Sequence, residues 1–352
     1  MPLDHLLVTG GAGFIGSHAA LHFARKGVRV TVLDNLSRSK LLGRRGGTAR
    51  LNWDRLGEES GVRRVEGDIR EPGLVEELAR DADGILHAAA QTAVTTSVKD
   101  PETDFSINAF GTFQVLEAAR NSPRRPAVIY CSTNKVYGDR VNAVPVREEG
   151  SRYRFAEGHE SGIAETFGLD LCEHTPYGCS KLTGDLYAQD YGHLHDLKVG
   201  VFRMSCIYGT WQFGVEDQGW VAWFAIGALG GKPLTIFGDG KQVRDVLWVE
   251  DLVAAYEAFL ERGPRLGVYN MGGGAENTLS LLELLDILRR EVGDIPQPAF
   301  DAWRPSDQKV YVSDIAKAQR ELAWRPSVGP EEGVGRLVAW IRDHPRFFAD
   351  SF

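Results

Sequence analysis

The chain has 352 residues, enough to bury a large core and to divide into two lobes. It is 43% hydrophobic and 25% charged, as globular proteins are, and its net charge of -8 argues against a nucleic-acid partner, which calls for a basic face. No apolar run reaches membrane-spanning length and no basic-then-apolar leader precedes Leu6. Cysteines 131, 172, 179 and 206 show neither a CxxC pair nor zinc spacing, so a cytoplasmic protein with reduced thiols and no metal is expected.

The apolar run Leu6–Val8 reads as a first strand. Gly10-Gly11-Ala12-Gly13-Phe14-Ile15-Gly16 comes next, then Ser17–Lys26 with helix formers, then a second strand, Val28–Leu33, stopping on Asp34. Strand, glycine turn, helix, strand and terminal acid make a dinucleotide-binding unit. Gly10 allows the tight turn, Gly13 lets backbone amides approach a pyrophosphate, and Gly16 lets helix and strand pack closely. The helix N-terminus offers free N–H groups to the phosphates. A carboxylate at Asp34 accepts ribose hydroxyls and repels a 2′-phosphate, which favours NAD over NADP. The basic cluster Arg38-Ser39-Lys40 with Arg44-Arg45 lies just beyond, facing a cofactor phosphate or solvent.

Asn35–Gly61 reads as a loop with a short helix near Leu51–Leu56, and Val62–Glu66 as a strand ending at Gly67-Asp68-Ile69, where an adenine edge or a plain turn is expected. Leu74–Arg80 is a short helix. Gly84–Ala90 is a strand running into small residues that leave room for a ligand, with His87 a packed strand residue. Pro101–Arg120 has helical spacing, with Asn108 inside it either making a specific hydrogen bond or solvated. Ala127–Cys131 is the fifth strand and runs into Ser132-Thr133-Asn134-Lys135-Val136-Tyr137-Gly138. Asp139–Glu173 has no clear period, and its Tyr153, Phe155 and Phe167 point to an ordered flap. A helix from Pro176 to about His195 and a strand Val199–Met204 come after it. Beyond Ser205 the pattern loosens to Lys241, then gives helices Asp251–Glu261 and Leu279–Val292 (capped by Ser280), a strand Val268–Met271, and final helices over Val310–Leu322 and Glu332–Arg342.

The fold class expected is α/β: a Rossmann-type doubly wound parallel sheet with a smaller C-terminal mixed α/β substrate lobe. The boundaries are 1–204 for the nucleotide-binding domain, with the flap at about 139–175, and 205–352 mainly for the second lobe, with about 242–260 returning to the first.

Tyr177 and Lys181 are spaced i, i+4 and share a helix face. A free phenol has a pKa of about 10, so a phenolate near neutral pH needs a drop of roughly 3 units, about 4 kcal/mol. One cation at about 4 Å, at an effective dielectric near 20, supplies about that much. A Tyr–Lys couple beside NAD, with Thr133 ending an earlier strand, is therefore expected to act as a base toward an alcohol whose carbon is oxidised.

These motifs together resemble the extended short-chain dehydrogenase/reductases acting on nucleotide sugars, along essentially the whole chain: Gly10-x-x-Gly13-x-x-Gly16, Asp34, Asn108-x-x-Gly111-Thr112, Ser132-Thr133 and Tyr177-x-x-x-Lys181. Sugar 4,6-dehydratases of that superfamily carry Asp-Glu after the catalytic Thr, where this chain has Asn134-Lys135, so elimination of water is not expected. The strings from Ser132 to Gly138 and from Pro176 to Lys181, together with Asp217-Gln218-Gly219-Trp220 and Gly240–Val246, resemble the CDP-paratose (CDP-tyvelose) 2-epimerase subfamily.

The resemblance implies tightly bound NAD, a CDP-sugar substrate, and Thr133, Tyr177 and Lys181 as catalytic residues. The implied cofactor contacts are Gly10, Gly13, Phe14, Ile15, Gly16, Asp34, Asn35, Ser37, Arg38, Asp68, Ile69, Ala88, Ala89, Ala90, Gln91, Asn108, Ser132, Tyr177, Lys181 and Ser205. Asn134, Lys135 and Gln212 are expected at the sugar, and Arg244 and Arg304 at the diphosphate, while Arg203 on an apolar strand reads as structural. Trp211 departs from the subfamily, which carries Arg there, in a loop expected to face the sugar. The competing expectations are a 4-epimerase or a 2-epimerase of a CDP-glucose-like substrate. The helices Pro101–Arg120 and Pro176–His195 carry surplus apolar residues (Phe105, Phe110, Phe113; Leu186, Tyr187, Tyr191), so a homodimer or dimer of dimers is expected unless the flap covers that face.

Overall fold

The computed structural model describes residues 3–41, 48–304 and 307–348, so that Arg44, Arg45, Pro305 and Ser306 lie outside the described residues. Seven strands form one parallel sheet: β1 (His5–Thr9), β2 (Arg29–Asp34), β3 (Val62–Glu66), β4 (Gly84–His87), β5 (Ala127–Thr133), β6 (Val199–Met204) and β7 (Leu266–Met271), in the order β7-β6-β5-β4-β1-β2-β3. Every residue of β1 and β4 is buried, as expected for strands covered by helices on both faces. The strand order reverses between β1 and β4, which opens a crevice at their C-terminal ends. Thr9 lies level with Leu33 on one side and His87 on the other, so three strand ends meet there.

The second lobe has a small sheet in which Val243–Trp248 pairs antiparallel with Thr278–Ser280 and parallel with Val310–Tyr311 and Cys206–Tyr208. Its core includes Val221, Phe224, Leu284, Leu288, Leu337 and Trp340. Ser280 caps the Leu281–Val292 helix through a reciprocal box with Glu283, as its sequence position implies.

Among the elements that differ from the sequence expectation, three have a direct physical reason. The Pro101–Arg120 helix is broken by a widened π-type turn at Ser106–Phe110, between helical pieces Pro101–Phe105 and Gly111–Asn121, because Asn108 is drawn into bonds with neighbouring elements. Val310–Leu322 is a strand pair at Val310–Tyr311 and then a helix at Ala316–Leu322. The Ser313 N–H donates to the Asp245 carboxylate between them, so the chain cannot stay helical there. Trp220–Leu229 is a helix that the pattern did not reveal, since it is buried nearly all round and has no polar face to set a period.

Two 3-10 turns within Asn134–Ala143, separated by a kink at Gly138, lead from β5 into the flap, which contains a hairpin pairing Val146–Glu149 with Arg152–Phe155. Its Tyr153 and Phe155 pack with Tyr137, Val243 and Tyr311, which ties it to the second lobe. Arg203 is structural: buried on β6, it forms a two-pronged ion pair with Asp185 and donates to the Tyr137 hydroxyl. Removing one member of such a pair leaves a buried uncompensated charge. Arg203→Met is expected to lower the unfolding free energy by about 3–5 kcal/mol in a denaturant titration; a loss below about 1 kcal/mol would show that the pair does not support the fold.

Candidate active site

The crevice is lined by the glycine turn (Gly10, Gly13, Phe14, Ile15, Gly16), the end of β2 with the loop after it (Asp34, Asn35, Ser37, Arg38), Asp68 and Ile69, the end of β4 (Ala88–Gln91), and Ser132, Tyr177, Lys181 and Gln212. Gly10 has φ of +71°, and a Cβ there would sit 2.5 Å from the Ala89 amide nitrogen, so only glycine fits this approach of two chains. A Cβ on Gly16 would lie 2.3 Å from the Gly10 carbonyl oxygen. The first helix, Phe14–Arg25, starts without a side-chain cap, which leaves N–H groups for an anion at its mouth. Asp34 accepts from Ala12 N at 2.9 Å with one oxygen and from Leu36 N at 2.8 Å with the other, which aims the carboxylate and leaves lone pairs for two hydroxyls. Asp68 is held by Arg70 and Asn35, and those bonds bring its pKa down to about 2.

Beneath the crevice a chain of buried polar groups is satisfied internally. Thr112 donates its hydroxyl proton to the Asn108 carbonyl at 2.6 Å, so it accepts from His87 Nε2 at 2.9 Å. The His87 Nδ1 therefore accepts from Thr9 at 2.7 Å, which assigns the tautomer. Burial pushes the His87 pKa down to about 3, so the ring is neutral and structural, as the sequence implied. Asn108 accepts from Gln91 N at 2.9 Å and donates to the Gln91 carbonyl, Asp104 and Ser180, so it holds the β4 end against the Thr175–Leu194 helix rather than lining the crevice.

Tyr177 and Lys181 enter the crevice from the first turns of that helix. Burial drives both toward neutrality: the Tyr177 phenol is pushed up to about 12, against the pull of a hydrogen bond with Thr133, and the Lys181 ammonium is pushed down to about 8. The expected lowering of the phenol by Lys181 is thus absent from the resting arrangement. Desolvation outweighs it, and the ammonium instead lies 4.2 Å from the centre of the Tyr130 ring.

The remaining residues expected at the site divide. Thr133 is buried, donates to Asn134 Oδ1 at 3.3 Å and accepts from Lys135 N at 3.2 Å. Burial pushes the Lys135 ammonium below the usual lysine range, with the Arg244 charge adding to that shift and Asp307 opposing it, and neither Lys135 nor Arg244 lines the crevice. Arg244 is anchored, giving Nη2 to Asp307 at 2.6 Å and Nη1 to the carbonyls of Val243 and Gln308. Arg304 lies 3.5 Å from Asp217 and 3.9 Å from Glu216, with its guanidinium 4.0 Å from the Phe237 ring centre. Ser205 does not line the crevice; its hydroxyl is committed to the buried Asp245 at 2.5 Å. Trp211 does not line the crevice: its backbone is left-handed (φ +60°) and its indole packs on Trp340 and Phe347, with Arg55 4.3 Å above it.

The model of the NAD dependent epimerase/dehydratase family matches residues 6–272. The chain belongs to that family. It is 40% identical to a CDP-paratose 2-epimerase of Salmonella typhi, over 95% of this chain and 98% of that one. Among solved structures it is similar to a UDP-glucose 4-epimerase of Thermotoga maritima with UDP-glucose (29% identity, TM-score 0.81, 97% and 99% of the two chains). It is equally similar to a dTDP-glucose 4,6-dehydratase of Streptomyces venezuelae with NAD bound (29%, 0.81, 97% and 98%).

The family cofactor is NAD, and the glycine cradle, the uncapped helix and the aimed Asp34 carboxylate fit a dinucleotide of that kind. The epimerase/dehydratase crevice also uses residues that the motifs do not mark. Thr92 accepts from Gln218, which in turn accepts from Arg38, so the Val215–Gln218 turn is strapped to the cofactor side. Thr95 donates to Asp217 at 3.0 Å in the same strap. Leu33, Ile107, Cys131 and Met204 supply apolar wall, and their only sequence signal is a place at a strand end or on a buried helix face. Each charge-assisted bond lost at Asp34 costs about 1.5–3 kcal/mol. Asp34→Ala is therefore expected to weaken NAD at least about tenfold in a calorimetric titration while narrowing the preference over NADP. Unchanged NAD affinity would remove Asp34 from the cofactor site.

Proposed function

We propose that this protein is an NAD-dependent 2-epimerase of a CDP-activated deoxyhexose, of the CDP-paratose to CDP-tyvelose type, working in the cytoplasm, where its four free cysteines stay reduced. The observation that carries the reading is the end-to-end 40% identity with a CDP-paratose 2-epimerase, coupled to Asn134-Lys135 at the position where dehydratases carry an acid pair. The second reading is a 4-epimerase, favoured by the similarity to the Thermotoga maritima enzyme.

Bound NAD supplies a reversible hydride acceptor for the carbon that is inverted. The protein's own residues manage the proton and the geometry. Tyr177 Oη takes the proton of the sugar C2 hydroxyl, and Thr133 Oγ1, which exchanges its bond to Asn134 for the substrate, holds the same oxygen. Lys181 adds the positive charge that favours the phenolate and binds the ribose. The 2-keto sugar turns over and is reduced on its other face, so the ring cannot be gripped tightly. The tail is held instead: Arg244 and Lys135 face it from one side, and Arg304 exchanges Asp217 and Glu216 for the diphosphate.

Incubating CDP- and UDP-sugars with no added NAD and locating the inverted carbon by NMR tests the assignment; inversion at C4, or consumption of stoichiometric NADPH, overturns it. Tyr177→Phe is expected to keep NAD binding within a few-fold and to lower turnover by at least about a hundredfold, since only the proton acceptor is removed. Near-normal turnover excludes Tyr177 as the base.

The assembly proposed is a dimer through the broken helix Pro101–Asn121 and the Thr175–Leu194 helix. Phe105, Phe110, Leu186 and Tyr187 are 44–59% exposed, and Phe113 meets Tyr187 edge-on. Tyr191 does not belong to that patch, being buried with its hydroxyl on Glu117. The flap packs on the second lobe and leaves the patch open. Light scattering at micromolar concentration should give twice the 38.8 kDa chain mass, and a mass near 38.8 kDa rejects the dimer.

A further inference from the structure

Lys181 presents an electrostatic problem that its role in the couple leaves open. Its side chain is 3% exposed, yet its ammonium makes no hydrogen bond or ion pair among the described residues. The charged and titratable groups around it come from several elements, and each is either neutral or engaged elsewhere. Asp185, on the same helix, is committed to Arg203, Ser132 and Gln189. Asp104 is bound by Ser180, Gln91 and Asn108. His87 on β4 is neutral, the Cys131 thiol on β5 is pushed up to about 11 by burial, and Tyr177 keeps its proton.

The ring of Tyr130 on β5 faces the cation, with the Lys181 Nζ 4.2 Å from its centroid. The ring is itself fixed on all sides. Tyr130 is 0% exposed, and its hydroxyl donates to the Lys181 backbone carbonyl at 3.1 Å. A Cβ on Gly184 would lie 2.4 Å from that hydroxyl, so glycine at 184 is what lets the helix close over the ring. One tyrosine thus touches both the backbone and the ammonium of the same lysine. Attraction of a desolvated ammonium to an aromatic face offsets part of the loss of water.

We infer that Tyr130 is a positioning residue: its ring face holds the buried Lys181 ammonium charged and in place where it meets the cofactor's ribose. This rests on the reading of Tyr177 and Lys181 as the catalytic couple. Burial leaves Lys181 with a pKa of about 8, so its charge is lost as the pH rises through that value, and NAD affinity should fall there. Without the ring the charged form is less stable, the pKa drops further, and the fall should begin about one pH unit lower.

The test is NAD affinity of the full chain, by calorimetry, from pH 6 to 9.5. Tyr130→Phe keeps the ring and should track the wild-type profile within about twofold. Tyr130→Leu should shift the fall acidward by about one unit, so that affinity lost near neutral pH is recovered at pH 6; a uniform loss at every pH would mean a merely structural role and overturn the proposal. Should Tyr130→Leu fail to fold, phenylalanines with one, three and five ring fluorines at position 130 keep the shape while emptying the ring face. They should move the profile acidward step by step, and a common profile for all three overturns the proposal. Lys181→Ala separates the two ideas. A flat profile in that variant supports the underlying couple, whereas a wild-type profile means that Lys181 never meets the cofactor and the couple itself is misassigned.

Discussion

The floor of the crevice depends on one chain of buried hydrogen bonds, running from Thr9 through His87 and Thr112 to Asn108, and from there to Gln91, Asp104 and Ser180. It links the ends of β1 and β4, the broken helix and the Thr175–Leu194 helix, which are the elements that carry the glycine turn, the crevice wall and the Tyr–Lys couple. An unpaired polar group at this depth is costly, so the members hold one another in a single arrangement. The widened turn at Ser106–Phe110 is the local concession: a regular helix is given up so that Asn108 reaches both sides. The direction of donation along the chain is set by Thr112 having only one proton to give, and it makes His87 a neutral spacer.

Above that floor the couple is set apart from carboxylates. Asp104 and Asp185 are each fully occupied, so neither quenches the Lys181 ammonium by direct pairing. Those carboxylates favour the Lys181 charge only through space, and the Tyr130 ring lies 4.2 Å from the ammonium, an aromatic face that attracts charge without supplying a competing proton acceptor. The phenol, for its part, stays protonated in the resting protein because burial dominates.

The substrate side obeys a different rule. Arg244 is bound to two carbonyls and Asp307, whereas Arg304 leans on two acids of the Glu216–Asp217 strap and on the face of Phe237. The first is rigid and the second exchangeable. The aromatic cluster of Trp211, Trp340 and Phe347 packs on the C-terminal helix.

Much of the first lobe was legible in the residues themselves, because its signals are local. Apolar runs buried on both faces, a glycine at a turn with φ of +71°, and an acid at a strand end each act over a few residues, and they mark β1, β2, β4, β5, β6 and the cofactor cradle. The i, i+4 spacing likewise brings Tyr177 and Lys181 to one face of a helix whatever surrounds them. Only the tertiary structure decided the charges of that pair, since desolvation and the Tyr130 ring come from elements distant in the chain. It also decided the break at Asn108, the strand at Val310–Tyr311, the helix at Trp220–Leu229, and the packing of Trp211 outside the crevice. Each of these is set by a partner far away in sequence, and periodicity within a segment carries no record of such a partner.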